Sequence, residues 1–163
     1  IGLPNAGKSS LLASITNANP KIANYQFTTL NPNLGVASYD NKEITIADIP
    51  GLIEGAHEGT GLGIQFLKHI ERCKTLLHLI DITNENLEKD YNQIKNELKS
   101  YSTKLLKKKE LIVLNKIDLV DEKMAKKIVN EFSKKINAEI LTLSTLDKNS
   151  VSKIKAKLIT YVS

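Results

Sequence analysis

Gly2-Leu3-Pro4-Asn5-Ala6-Gly7-Lys8-Ser9 fits the pattern GxxxxGK[ST] at every fixed position. A loop of this kind presents successive backbone N–H groups as a concave nest. The helix that follows turns its positive end toward the anion held there. Gly2 and Gly7 let the backbone turn and approach a phosphate where a Cβ would intrude. Lys8 is long enough to reach β- and γ-phosphates, and the Ser9 hydroxyl suits Mg²⁺. The stretch predicts a nucleotide-phosphate loop between a strand and a helix. A chance Gly-rich turn is the competing account, and the rest of the chain decides between them.

Working outward, 163 residues suffice for one domain with a proper core. The hydrophobic share of 41% and charged share of 25% are those of an ordinary globular protein. Only Ile1 precedes Gly2, whereas a phosphate loop follows a buried strand. The reading therefore expects a single domain over 1–163, N-terminally truncated within its first strand. No apolar run reaches the length of a membrane span. A single cysteine, Cys73, excludes an internal disulfide and suits a reducing compartment. Its place on a predicted helix favours packing over nucleophilic chemistry. The net charge of +5 comes mainly from lysine, with Arg72 the lone arginine. That surplus permits contact with RNA, although lysines spread over helix surfaces are the commoner explanation.

Leu11, Leu12 and Ile15 predict a first helix over 9–15. Residues 21–33 read as a loop containing the adjacent Thr28 and Thr29, placed where a nucleotide switch segment closes on Mg²⁺ and the γ-phosphate. Residues 35–39 and 43–47 read as strands joined by an Asp40-Asn41 turn, hence an antiparallel hairpin. The second strand runs into Asp48-Ile49-Pro50-Gly51. A carboxylate there suits Mg²⁺ through a water, and the Gly51 N–H suits the γ-phosphate. The glycine-rich stretch 51–63 hangs from that point and leads into a helix over 64–73.

Residues 75–82 form a continuous apolar run, as in a buried parallel strand. His78 within it reads as structural, and Asp81 at its end as a cap or turn residue. Helices follow over 85–101 and 121–136, the second with Met124, Ile128, Phe132 and Ile136 as its apolar stripe. The basic cluster 104–109 reads as a solvated loop, with RNA contact as the sharper alternative. A strand over 111–114 ends in Asn115-Lys116-Ile117-Asp118. The Asp118 carboxylate can accept from N1–H and the N2 amine of guanine, a donor pair that adenine lacks. Asn115 can tie this loop to the phosphate loop, and the Lys116 stem can cover the base. A last strand over 139–143 leads to Ser144-Thr145-Leu146, whose backbone N–H groups suit the guanine O6. Val151, Ile154, Leu158 and Ile159 mark a closing helix.

Alternating strands and helices with motifs at strand ends predict a doubly wound, mostly parallel P-loop α/β sheet. Helices cover both faces and an antiparallel hairpin lies at one edge. GLPNAGKSS (2–10), NYQFTTLNPNLGV (24–36), DIPGLIEGAHEGTGLGIQFLKHIER (48–72) and NKID (115–118) resemble the GTPase domain of the Obg family. The resemblance covers essentially the whole chain. It implies GTP hydrolysis to GDP and phosphate, a cytoplasmic setting, and large-subunit ribosome or rRNA partners. A monomer is expected. It further implies nucleotide contacts from Phe27, Thr28, Thr29, Leu30 and Asn31, and from Asp48, Ile49, Pro50 and Gly51. Thr29, by its match to the family pattern, joins Ser9 and Asp48 at Mg²⁺. Lys8, Thr29 and Gly51 are the catalytic positions.

Catalysis is then mostly positioning and charge neutralisation around an in-line water attack. Leu52 stands where Ras-like enzymes carry a water-orienting Gln, so intrinsic hydrolysis is expected to be slow. Asn5 is a candidate to hold K⁺ beside the phosphates. A metabolic P-loop kinase is the first rival, but it leaves Asp118 unexplained. A binding module with little turnover is the second.

Overall fold

In the computed structural model, residues 1–16, 21–22, 33–48 and 70–162 are described. The first helix, α1 (Lys8–Ile15), starts at Gly7, whose φ of 95° lies in the left-handed region. Leu11, Leu12 and Ile15 form its buried stripe, as the spacing predicts. A two-residue strand, β1 (Lys21–Ile22), then pairs antiparallel with β2 (Asn33–Tyr39) through Lys21↔Leu34 and Ile22↔Asn33. The expectation of loop throughout 21–33 is therefore corrected at both ends. β2 pairs antiparallel with β3 (Lys42–Asp48) over its whole length. Asp40 and Asn41 carry φ of 50° and 57° at the turn, the hand that matches strand twist.

The second sheet is parallel, in the order β4 (Thr75–Asp81), β5 (Lys109–Asn115) and β6 (Ile140–Leu143). Its crossovers are α2 (Leu87–Tyr101) and α3 (Glu122–Ile136), and α4 (Lys148–Val162) closes the chain. Asn86 caps α2 by accepting from the Lys89 N–H at 2.9 Å. Asp121 caps α3 by accepting from the Met124 N–H at 2.8 Å. Residues 70–72 are helical.

The core explains why helices take both faces. Leu77, Leu79, Leu111, Val113 and Leu143 pack on one face of the sheet against Leu11 and Ile15 of α1 and Ile154 and Leu158 of α4. On the other face Leu76 meets Ile94 and Leu98 of α2, and Ile80, Ile112 and Leu114 meet Phe132 of α3. The α3 stripe is shifted from the expected one: Ala125, Ile128, Val129, Phe132 and Ile136 face inward, while Met124 is 48% exposed. Gly35 lets α1 lie close over β2, because a Cβ there would stand 2.1 Å from the Thr16 methyl group.

The two sheets do not pair with each other among the described residues. Ile1 lies beside β4 in parallel fashion, its carbonyl accepting from the Leu79 N–H and its amino group donating to the Leu77 carbonyl, both at 2.9 Å. Ahead of Ile1, a groove of about 470 Å³ runs between the β3 edge and the β4 edge, lined by Ile44, Ile46, Leu77 and Leu79 among others. No helix among the described residues is long and apolar enough to cross a membrane.

Candidate functional site

Three strand ends bring the motifs together. Residues 2–7 form the turn between Ile1 and α1, with Gly2 at φ 154°, Asn5 at φ 64° and Gly7 at φ 95°. Ala6 is buried, whereas Pro4 and Asn5 are exposed. The Lys8 ammonium folds back over the loop and donates to the carbonyls of Gly2 (2.9 Å) and Leu3 (3.0 Å). Burial lowers the Lys8 pKa from its ordinary value, and the Asp48 charge works against that shift. A partly desolvated cation on neutral carbonyls is a ready receptor for a phosphate oxygen, which offers a full opposite charge.

Ser9 Oγ donates to Asp48 Oδ2 at 2.8 Å, joining the start of α1 to the end of β3. Asp48 is buried, and its Oδ1 has no hydrogen-bond partner among the described residues. A hydroxyl and an under-satisfied carboxylate side by side form a hard-oxygen set that fits Mg²⁺. These are two of the three residues expected at the metal. The third, Thr29, lies outside the described residues, as do Phe27, Thr28, Leu30, Asn31, Ile49, Pro50, Gly51 and Leu52.

Asn115 ends β5 fully buried. Its Nδ2 donates to the Ala6 carbonyl at 2.9 Å, so the tie between the two loops expected from sequence is present. Asn115 Oδ1 is buried without a partner among the described residues. Lys116 then turns left-handed (φ 65°, ψ 34°), and Asp118 sits exposed on a short 3-10 turn, Ile117–Leu119. Of the third loop, the Ser144 N–H already donates to Ser150 Oγ (3.0 Å) and the Leu146 N–H to Ser144 Oγ (3.3 Å). The Thr145 N–H is the donor of the three with no acceptor among the described residues.

Asp81 is the residue whose part was underread. It caps its own turn, with Oδ1 accepting from the Thr83 N–H (3.0 Å) and Thr83 Oγ1 (2.7 Å). Its Oδ2 also pairs with Lys116 Nζ at 2.5 Å. Burial pushes the Asp81 pKa up, but the hydrogen bonds from Lys116 and Thr83 outweigh it and hold the carboxyl below its ordinary value. A terminal aspartate on an apolar strand was the available signal, and it did not name the partner.

Cys73 is half-buried, and burial pushes its thiol pKa up, consistent with packing rather than reactivity. The basic cluster is partly structural. Lys108 Nζ donates to the carbonyls of Glu71 (2.8 Å) and Cys73 (2.6 Å), and Leu105 is buried.

With the 2–9 loop, the Ser9–Asp48 pair and the 115–118 loop at adjoining strand ends, the chain has the architecture of a P-loop G domain. Residues 1–116 match the family described as 50S ribosome-binding GTPase, and the chain belongs to that family. Among named proteins it is similar to GTPase Obg of Pelagibacter ubique, 74% identical over 100% of this chain and 50% of that protein. It is 53% identical to GTPase Obg of Rickettsia felis over 94% of this chain and 47% of that protein. The chain thus spans about half the length of the curated relatives it matches. Era in complex with MgGDPNP and a segment of 16S ribosomal RNA superposes with a TM-score of 0.75 at 25% identity, over 98% of this chain and 54% of that one. The G domain of the Thermotoga maritima FeoB iron transporter gives 0.71 at 22% identity, over 99% of this chain and 95% of that one, and shows the fold.

Proposed function

We propose that this chain is a single G domain that binds GTP and Mg²⁺ and hydrolyses GTP slowly to GDP and phosphate. The observation that carries the reading is the Asn115 Nδ2–Ala6 carbonyl bond, which fixes the guanine loop against the phosphate loop. Lys8, now on the Gly2 and Leu3 carbonyls, would neutralise β/γ oxygens, and Ser9 would hold the ion directly with Asp48 acting through a water. Bound Mg²⁺ supplies charge neutralisation on the phosphates. Thr29 and the Gly51 N–H sense the γ-phosphate. Leu52 leaves the attacking water without an obvious orienting side chain, so turnover is slow and depends on a partner or on K⁺ near Asn5. The chain then acts as a monomeric, cytoplasmic switch in large ribosomal subunit assembly, a reading supported at the ribosome by the family description, 50S ribosome-binding GTPase.

Titrating GTP and ATP in the presence of Mg²⁺, with phosphate release followed in parallel, tests this. The expected result is preference for GTP with slow release. Binding without release favours the low-turnover module that Leu52 suggests. Asp118→Asn is expected to lose GTP affinity and gain affinity for xanthosine triphosphate, because the amide reverses the hydrogen-bond demand. An unchanged base preference sinks the guanine assignment.

A further inference from the structure

We propose that Asp81 is a positioning residue for guanine nucleotide, acting through Lys116. The proposal rests on the guanine reading above and adds a residue outside the five motif loops. Asp81 and Asn115 are the last paired residues of β4 and β5, and the Ile82 N–H donates to the Asn115 carbonyl at 3.0 Å. The Asp81 carboxylate has both oxygens assigned: Oδ1 takes two bonds from Thr83, and Oδ2 takes the Lys116 ammonium at 2.5 Å. It is therefore a fixed anchor, with its side chain only 10% exposed.

The lysine is the mobile partner. Its side chain is 31% exposed and follows a left-handed backbone turn. A free lysine stem samples many rotamers, and ordering it against a base is costly. Held by Asp81, the stem is ordered before the nucleotide arrives. The carboxylate also neutralises the ammonium, so the stem offers the base an aliphatic wall rather than a hydrated charge. Both effects act on the base side of the site. They therefore serve GDP and GTP alike and carry no information about the γ-phosphate.

The test is a double-mutant cycle on GDP and GTP dissociation constants and off-rates, in Mg²⁺. Asp81→Asn keeps an oxygen for Thr83 and removes the charge. It is expected to weaken GDP and GTP by the same factor, roughly tenfold, mainly through faster dissociation. Lys116→Met, which keeps an aliphatic stem, is expected to weaken both comparably. In the Lys116→Met background, Asp81→Asn is expected to add little, because the partner is gone. A merely structural Asp81 gives full, additive losses in that background and overturns the proposal. So does an Asp81→Asn protein that binds as tightly as the parent. Thermal unfolding of Asp81→Asn and Lys116→Met, each expected within a few degrees of the parent, guards against a poorly folded variant, and the non-additivity of the cycle remains the deciding readout. Failure of the parent chain to bind guanine nucleotide at all overturns the guanine reading itself, a separate outcome.

Discussion

At the scale of single residues, the phosphate loop is the best example of geometry dictated by composition. Gly7 stands at φ 95°, and a Cβ there would lie 2.4 Å from Asn115 Nδ2. That nitrogen is the one bonded to the Ala6 carbonyl. Gly7→Ala would therefore strain the backbone and displace the amide that joins the two loops. The expected cost is about 2–3 kcal/mol of stability, read by denaturant unfolding, with at least about a tenfold loss of GDP affinity. A variant as stable as the parent and with unchanged affinity contradicts the account. The Gly7 turn and the Asn115 tie to the phosphate loop were legible from the chain because each follows from the order of residues within its own loop. The Asp81–Lys116 pair was not. It joins two strand ends, and only the register of β4 against β5 makes them neighbours.

At the scale of elements, the buried side of the parallel sheet holds a polar cluster inside apolar packing. His78 of β4 is fully buried, with Nδ1 2.8 Å from Glu110 Oε1 of β5. Lys95 of α2 reaches Glu110 Oε2 at 2.7 Å, and the Tyr91 ring stacks on the imidazole with centroids 5.4 Å apart. Nδ1 therefore carries the proton and donates, while Nε2 is buried without a partner. Burial pushes the His78 pKa below 6.5, although Glu110 pulls it upward. For Glu110, burial pushes upward, but His78 and Lys95 together hold the carboxyl below its ordinary value. The sign follows directly. The unfolded chain binds a proton at His78 more readily than the folded one, so stability rises with pH across that window. The stabilisation is complete above about pH 6.5 and is lost as pH falls toward the lower folded value. Thermal unfolding from pH 7.5 to 5.5 is expected to show a falling Tm, and His78→Asn is expected to flatten the slope. Equal slopes in parent and variant remove His78 as the cause. Elements of clear period were legible: the hairpin from its Asp40-Asn41 turn, the helices from their apolar spacing. β1 was not, since two residues carry no period. Met124 was misjudged because adjacent helical stripes look alike until a neighbour chooses one, and here Phe132 and Val129 face the sheet.

At the scale of the whole molecule, doubly wound architecture was legible because the chemistry recurs at strand ends; among the described residues the strands fall into two sheets. β1–β2–β3 and β4–β5–β6 share one hydrophobic cluster, with Ala37, Ile44 and Ile46 from the first and Leu79, Leu111 and Leu143 from the second. Their facing edges bracket the groove ahead of Ile1. Ile1 already pairs with Leu77 and Leu79, so an extended segment joined ahead of it would run parallel to β4. It would also meet the edge of β3. Such a strand is buried on both faces, which calls for a continuous Val/Ile run rather than an alternating one. Burial of the side chains and the strand hydrogen bonds together outweigh the cost of ordering about five residues, so Tm is expected to rise by several degrees or more. Joining such a segment to Ile1 and measuring thermal unfolding checks this, with a lysine-rich segment of equal length as the control. The apolar segment should raise Tm and merge any two unfolding transitions into one, because a single sheet then links both halves. An unchanged Tm, or an equal rise with the lysine-rich control, means that the groove does not take a strand.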